Sequence, residues 1–312
     1  DISPSSAGIT TGRGYKYLCV DSNGILHLGT VHTNVLVLRN YNGSTWTTYA
    51  AGSIADFDTL GTSNYFYMDG MIIGKESSGQ QTLNIACSYW DATHGAGYAA
   101  YKCFFIRVTM QGDRSYLAAD VGGTSVTLPL DETYTSGNAI YFDGSVETTK
   151  LRSQWNGFDI LEDNSPHMAS IIWTTSATFD HIRSTQWNGS SWVNVTVGTT
   201  WSDDEPVFGT NKSMVTYHDA DTGLMRILYA TEDGNSVAQL YQTTSSNSGV
   251  TWTALSGRTA DDYNSTQPSV DASILYTLND RITTSEVRML SRTLVVSKII
   301  KYLQHINRAS TY

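Results

Sequence analysis

Short apolar runs separated by small polar clusters repeat along most of the chain. Gly24-Ile25-Leu26-His27-Leu28 precedes Val35-Leu36-Val37-Leu38, and His167-Met168-Ala169-Ser170-Ile171-Ile172-Trp173 precedes Asp180-His181-Ile182-Arg183. Runs of about 4–8 residues bounded by Gly, Asn, Asp and Ser have the length and punctuation of β-strands. No helix-period stretch of useful length competes with them. The segment 295–306, with Val295-Val296-Ser297-Lys298-Ile299-Ile300-Lys301-Tyr302-Leu303, suits a strand equally well and is assigned as the closing strand. Such a strand would protect the edge of the last sheet.

Self-similarity sharpens this pattern. An aromatic residue, Asn, Gly, two small residues and Trp recur as Tyr41-Asn42-Gly43-Ser44-Thr45-Trp46 and Trp187-Asn188-Gly189-Ser190-Ser191-Trp192. A truncated copy is Trp155-Asn156-Gly157-Phe158, and a longer one runs from Ser245 to Trp252. Asn-Gly supplies the positive φ that a tight hairpin needs, and the Trp beyond it starts the next strand by packing over the turn. Strand, turn, strand, turn, strand is the repeating unit. It predicts an all-β chain of the β-propeller class, with about six blades of four antiparallel strands and counts of five or seven still open. The blades fall near 14–53, 57–122, 124–163, 165–200, 203–257 and 265–303, and 1–312 is expected to be one domain.

Composition agrees with strands joined by uncharged turns. Hydrophobic residues make up 40% of the 312 and charged residues only 15%, below the roughly 25% of an average soluble domain. The 19 Tyr, 8 Trp and 8 Phe exclude disorder, because their burial offsets the entropy of ordering. A formal charge of -10 argues against nucleic acid as a partner, since that surface needs clustered Lys and Arg. No run of 18 apolar residues is present, so membrane insertion by a helix is not expected. The N-terminus lacks the charged and apolar regions of a signal peptide, and a leader removed earlier stays open. Cys19, Cys87 and Cys103 sit in strand-like apolar runs, away from metal-ligand spacings, and are expected to be buried thiols.

Two resemblances follow from particular residues. Ser245-Ser246-Asn247-Ser248-Gly249-Val250-Thr251-Trp252 resembles the Asp-box of sialidase-like BNR propellers, with Asn247 in place of Asp. In those proteins the box is a structural hairpin, and the Arg-Ile-Pro-type motif that begins a sialidase's arginine triad is not present here. Val20-Asp21-Ser22-Asn23-Gly24-Ile25-Leu26-His27-Leu28, followed by His32, is similar to the opening blade of BNR-4 proteins, a group that includes propeller lyases acting on ulvan-type polymers. The resemblance implies that His32 reaches a central cleft.

Cleaving a uronate polymer by β-elimination needs a group to neutralise the carboxylate, a base for the C5 proton and an acid for the leaving oxygen. The expected catalytic set is His32, then His94 and Tyr98 in the loop Asp91-Ala92-Thr93-His94-Gly95-Ala96-Gly97-Tyr98, and Arg114. Glycines in that loop permit close approach of a ligand, and long loops on a rigid scaffold are where binding resides. The blander alternative is that His94 and Tyr98 decorate a blade-edge hairpin. His27 alternates with core residues and is expected to be structural. His167, His181 and His218 lie in or beside inner strands; His181, Arg183 and Arg152 either line a channel or are hydrogen-bonded rim residues. Asp203-Asp204-Glu205, Asp219 with Asp221, and Asp261-Asp262 offer hard oxygen ligands for structural calcium, yet none reproduces a calcium loop. Solvated turns are the preferred reading, and no cofactor is expected.

The leading expectation is therefore an extracellular or surface-displayed propeller that engages polysaccharide, with lyase chemistry as its enzymatic form. The competing class is non-catalytic: a glycan-binding lectin, or a structural surface module such as one on a phage particle, where a protein partner replaces the glycan. The hairpin phrase repeats between blades and the His and Arg positions do not, which favours one asymmetric site.

Overall fold

The structure is a computed structural model. It describes residues 16–21, 23–41, 43–57, 64–75, 81–91, 99–110, 116–135, 137–146, 150–152, 157–161, 163–173, 179–197, 205–206, 214–219, 223–232, 238–253 and 256–258. No described residue is helical. The chain divides into two compact units, Asp1–Thr196 and Val197–Tyr312.

The first unit holds three antiparallel sheets. In the first, β1 (Lys16–Val20), β2 (Leu26–His32), β3 (Val35–Tyr41) and β4 (Trp46–Asp56) pair in chain order. The second is built on β5 (Asn64–Lys75) and β6 (Gln81–Asp91). A two-residue strand, β7 (Ala99–Ala100), precedes β8 (Lys102–Met110), whose far side is shared by β9 (Tyr116–Ala119) and β10 (Ile140–Asp143). The third contains β11 (Lys150–Arg152) and β12 (Gly157–Ile160), both on β13 (Pro166–Trp173), followed by β14 (Phe179–Trp187) and β15 (Trp192–Val197). Strand β7 pairs with β11 and so belongs to the third sheet.

The second unit holds one sheet. There β16 (Glu205–Pro206) and β17 (Met214–Asp219) both pair with β18 (Leu224–Glu232), which is followed by β19 (Ala238–Ser245) and β20 (Ser256–Arg258).

The first, second and fourth sheets are four-position antiparallel meanders, the blade pattern expected from the sequence, and the third adds β7 as a fifth position at its edge. The segment 124–163 does not form a blade of its own. Its β10 closes the second sheet, and its β11 and β12 open the third. Between Asp120 and Ala139 the chain is made mostly of turns, and Leu130 instead bonds to the first sheet, donating to Ile54 O at 2.9 Å and accepting from Asp56 N at 2.8 Å. The expected blade 265–303 and the closing strand at 295–306 lie outside the described residues.

Strand β8 shows why the sheets stack. Cys103, Phe104, Phe105 and Ile106 are all fully buried, because alternate residues face opposite sides and both sides are covered. Phe104, Ile106 and Val108 join Leu36, Leu38, Ile54 and Leu83 in a core shared with the first sheet. Cys103 and Phe105 join Phe158, Met168, Ile172 and Trp187 in a core shared with the third. Phe57 anchors the former, with its ring 4.8 Å from Phe66 and 5.0 Å from Tyr89; each such pair adds about 0.5–1.5 kcal/mol beyond its buried area. Strand β5 packs beside β1 and β12. A Cβ at Gly70 would lie 2.5 Å from Phe158 Cδ1, so only glycine permits that approach.

The hairpin phrase folds as its residues dictate. Gly43 and Gly189 take φ of 94° and 96°. Trp46 and Trp192 begin β4 and β15 and pack on Tyr41 and Trp187 at 5.2 and 5.4 Å. The Ser245–Trp252 segment also forms a hydrogen-bonded turn despite Asn247: Asn247 Oδ1 accepts from Thr251 N at 2.9 Å, and Ser245 Oγ accepts from Gly249 N at 2.9 Å.

Candidate functional site

His32 ends β2, and the two-residue turn Thr33-Asn34 leads into β3. Both turn residues have positive φ, 44° and 63°, the geometry of the tightest hairpin turns. For β-branched Thr33 that conformation is strained. Two tertiary bonds hold it. Asn34 Oδ1 accepts from Phe66 N on β5, and Asn34 O accepts from Phe57 N, both at 3.1 Å. The turn is thereby bolted to the start of the second sheet. His32 itself is exposed, with Nδ1 3.3 Å from the Thr33 hydroxyl.

His94 and Tyr98 lie outside the described residues, as does Arg114. The strand ends that flank them are described. Asp91, before the first loop, pairs with Asn64 at the start of β5, the end to which Asn34 is bonded. Met110 and Tyr116, which flank Arg114, pair with each other next to the Thr82–Thr109 pair. Because β6 runs from Gln81 to Asp91, the two attachment points are roughly 30 Å apart at about 3.3 Å per residue. The four residues were expected to surround one cleft. The backbone brings the flanks of 92–98 to the His32 end and the flanks of Arg114 to the other.

A different arginine lies on the strand that pairs with the residues after Tyr98. Arg152 on β11 pairs through its backbone with Ala99, the first residue after Tyr98. His181, half-buried on β14, pairs with Ile172, which pairs with Leu151 beside Arg152. Arg183 lies two residues further along and is buried with its guanidinium 5.0 Å over the Phe142 ring, a core position.

The opposite end of the sheets is closed by internal bonds. Asp21 Oδ1 accepts from Asn23 N and Ile25 N at 2.8 and 2.9 Å, and its Oδ2 lies 3.1 Å from His27 Nε2. Burial pushes the His27 pKa down, against a partial upward pull from Asp21. His27 is 1% exposed and structural, as its alternation suggested. The pattern recurs in a way the sequence reading missed. Gly24, Asn164 and Gly223 all have positive φ in the hairpin before a second strand. Three residues after each sits a buried polar side chain: His27, His167 and Arg226. His167 Nε2 lies 3.0 Å from Ser184 Oγ. The shared signal was a turn residue followed at three positions by His or Arg.

Asp69 was also missed. It is 2% exposed, at a bulge where β5 slips register against β6 between Met68 and Gly70. Tyr17 Oη donates to its carbonyl at 2.8 Å. Burial, reinforced by the Asp69 charge, pushes the Cys87 and Cys103 thiols well up. Both are free and buried as expected, whereas Cys19 is half-buried. Among the described residues no group of three His, Cys, Asp or Glu is placed to hold a metal ion.

No family model matches the chain, and no curated protein matches it in sequence. Among solved structures it is similar to a PL25 ulvan lyase bound to GlcA(1-4)Rha3S, with a TM-score of 0.53 and 17% identity over 77% of this chain and 54% of that one. A second PL25 ulvan lyase structure matches with a TM-score of 0.51 and 15% identity over the same shares. The chain thus spans about half the length of the lyases it resembles. At this identity the likeness defines the fold: an all-β propeller of four-stranded antiparallel blades.

Proposed function

We propose that the His32 end of the first two sheets binds an anionic polysaccharide, and that the chain cleaves a uronate residue there by β-elimination. The observation that carries the reading is an exposed histidine beside a strained, tertiary-bonded turn, at the sheet end where Asp91 pairs with Asn64. The fold it stands on is similar to that of enzymes known to act on ulvan.

In this reading a cation facing the uronate carboxylate makes the C5 proton acidic. His32, His94 and Tyr98 supply the base that takes this proton and the acid that protonates the departing O4 oxygen, which leaves a C4–C5 double bond in one fragment. The cation is assigned to Arg152, whose backbone pairs with Ala99, in preference to Arg114. Polymers of this size are met outside the cell, so an extracellular or surface-displayed setting belongs to the same proposal.

A formal charge of -10 favours a second reading, because an acidic protein repels a polyanion. That reading is a non-catalytic glycan-binding or structural surface module. Incubation with a panel of anionic polysaccharides, followed by ultraviolet absorbance of the unsaturated uronate, separates the two. The lyase reading requires a rise that His32→Ala, His94→Ala or Tyr98→Phe removes. A flat trace on every polymer with retained glycan binding supports the non-catalytic module instead.

A further inference from the structure

Tyr65 and Trp90 face each other across β5 and β6, one residue in from the sheet end bonded to Asn34. Their rings are 5.1 Å apart and 20° from parallel. Tyr67 continues the array at 6.2 Å and 24°. The strand neighbours on the opposite face, Phe66 and Tyr89, are 2% and 1% exposed and belong to the core shared with the first sheet. Tyr65 and Trp90 are only half-buried, and neither is among the residues that make up or pack against the two described cores. Two large aromatic rings thus stay partly exposed near the sheet end that carries His32, with buried Tyr67 stacked beside Tyr65.

We infer that Tyr65 and Trp90 form a sugar-stacking subsite, which receives the apolar C–H face of one pyranose ring of the polysaccharide. The inference rests on the proposed glycan reading of the His32 end. A flat, partly exposed aromatic surface suits the apolar C–H face of a pyranose ring. Preset ring orientation lowers the ordering cost of binding. The register also links this subsite to the chemistry. Phe66 lies between Tyr65 and Tyr67, and its N–H donates to Asn34, two residues from His32. A sugar on the ledge is thus held at a fixed spacing from the imidazole, and Tyr65 and Trp90 act as specificity residues.

The test compares Trp90→Ala, Tyr65→Ala and the conservative Trp90→Phe on the full chain, with affinity for uronate polysaccharides measured by calorimetry and folding checked by thermal midpoint. The two alanine variants are expected to bind about tenfold more weakly, near the upper worth of one aromatic contact. Trp90→Phe should stay within about threefold of wild type, so that the loss tracks the ring and not the fold. His32→Ala should lower turnover with its affinity kept. Unchanged affinity in a folded Trp90→Ala protein, with wild type binding normally, overturns the subsite alone. If wild type binds no polysaccharide, the broader reading fails and the subsite falls with it.

Discussion

The two ends of the first two sheets are built from the same kinds of residue used differently. At the Asp21 end, polar groups are spent on backbone and on each other. Asp21 serves two backbone N–H groups and His27, and Arg107 donates from Nε to Asn84 Oδ1 at 3.1 Å and from Nη2 to Asn164 O at 2.7 Å. At the His32 end an imidazole is exposed, the backbone is strained at Thr33, and an aromatic pair is only half-buried. One end is held by a network of internal hydrogen bonds and so contributes stability. The other carries strain and open aromatic surface, which is where ligand binding is expected on a rigid scaffold.

The largest effect should come from the closed end. Asp21→Ala leaves two backbone donors and His27 without their acceptor in a buried site, a loss of about 2–4 kcal/mol. A thermal midpoint several degrees lower, with turnover per folded molecule unchanged, is the expected result. If activity falls and stability does not, the two ends have been assigned the wrong way round.

A smaller effect separates the two arginines. Arg152→Ala should raise the KM for a uronate polymer about tenfold, as loss of one charge-assisted contact does. Arg114→Ala should leave KM within about twofold, since its flanking strand ends lie at the other end of β6. The reverse ranking would reunite the Arg114 loop with the His32 end.

The smallest effect is a pH dependence at His27. Its pKa is held below the ordinary 6.5, so the unfolded chain takes up a proton that the folded chain refuses. Stability is full above that value and declines as pH falls below it toward the lowered folded value. The thermal midpoint should drop between about pH 7 and pH 5, and His27→Gln should flatten the slope. An identical slope in that variant would assign the effect to other groups.

Features that depend on neighbouring residues were legible in the sequence. Tyr41 to Trp46 and Trp187 to Trp192 specify their own hairpins, because Asn-Gly and the flanking aromatics meet within six residues. His27 declared itself structural by alternation. What depends on pairing across sheets was not legible. The strands of 124–163 divide between two sheets because β10 finds β8, and β11 and β12 find β13. Asp69 sits inside the apolar phrase Tyr67-Met68-Asp69-Gly70-Met71, and its bulge exists only against β6. The separation of His32 from the Arg114 flanks follows from the Asn34 to Phe66 bond, which no local pattern announces. Local turns and the structural place of His27 were thus readable from their own neighbourhoods, and pairing between distant strands was not.

The most direct test of the central claim follows the histidine ring signals by NMR while a uronate oligosaccharide is titrated into the full chain. The account predicts that the His32 resonances move with saturation while those of buried His27 and His167 stay in place. Movement at His27 or His167 with His32 unchanged would contradict it and shift the binding face to the closed end.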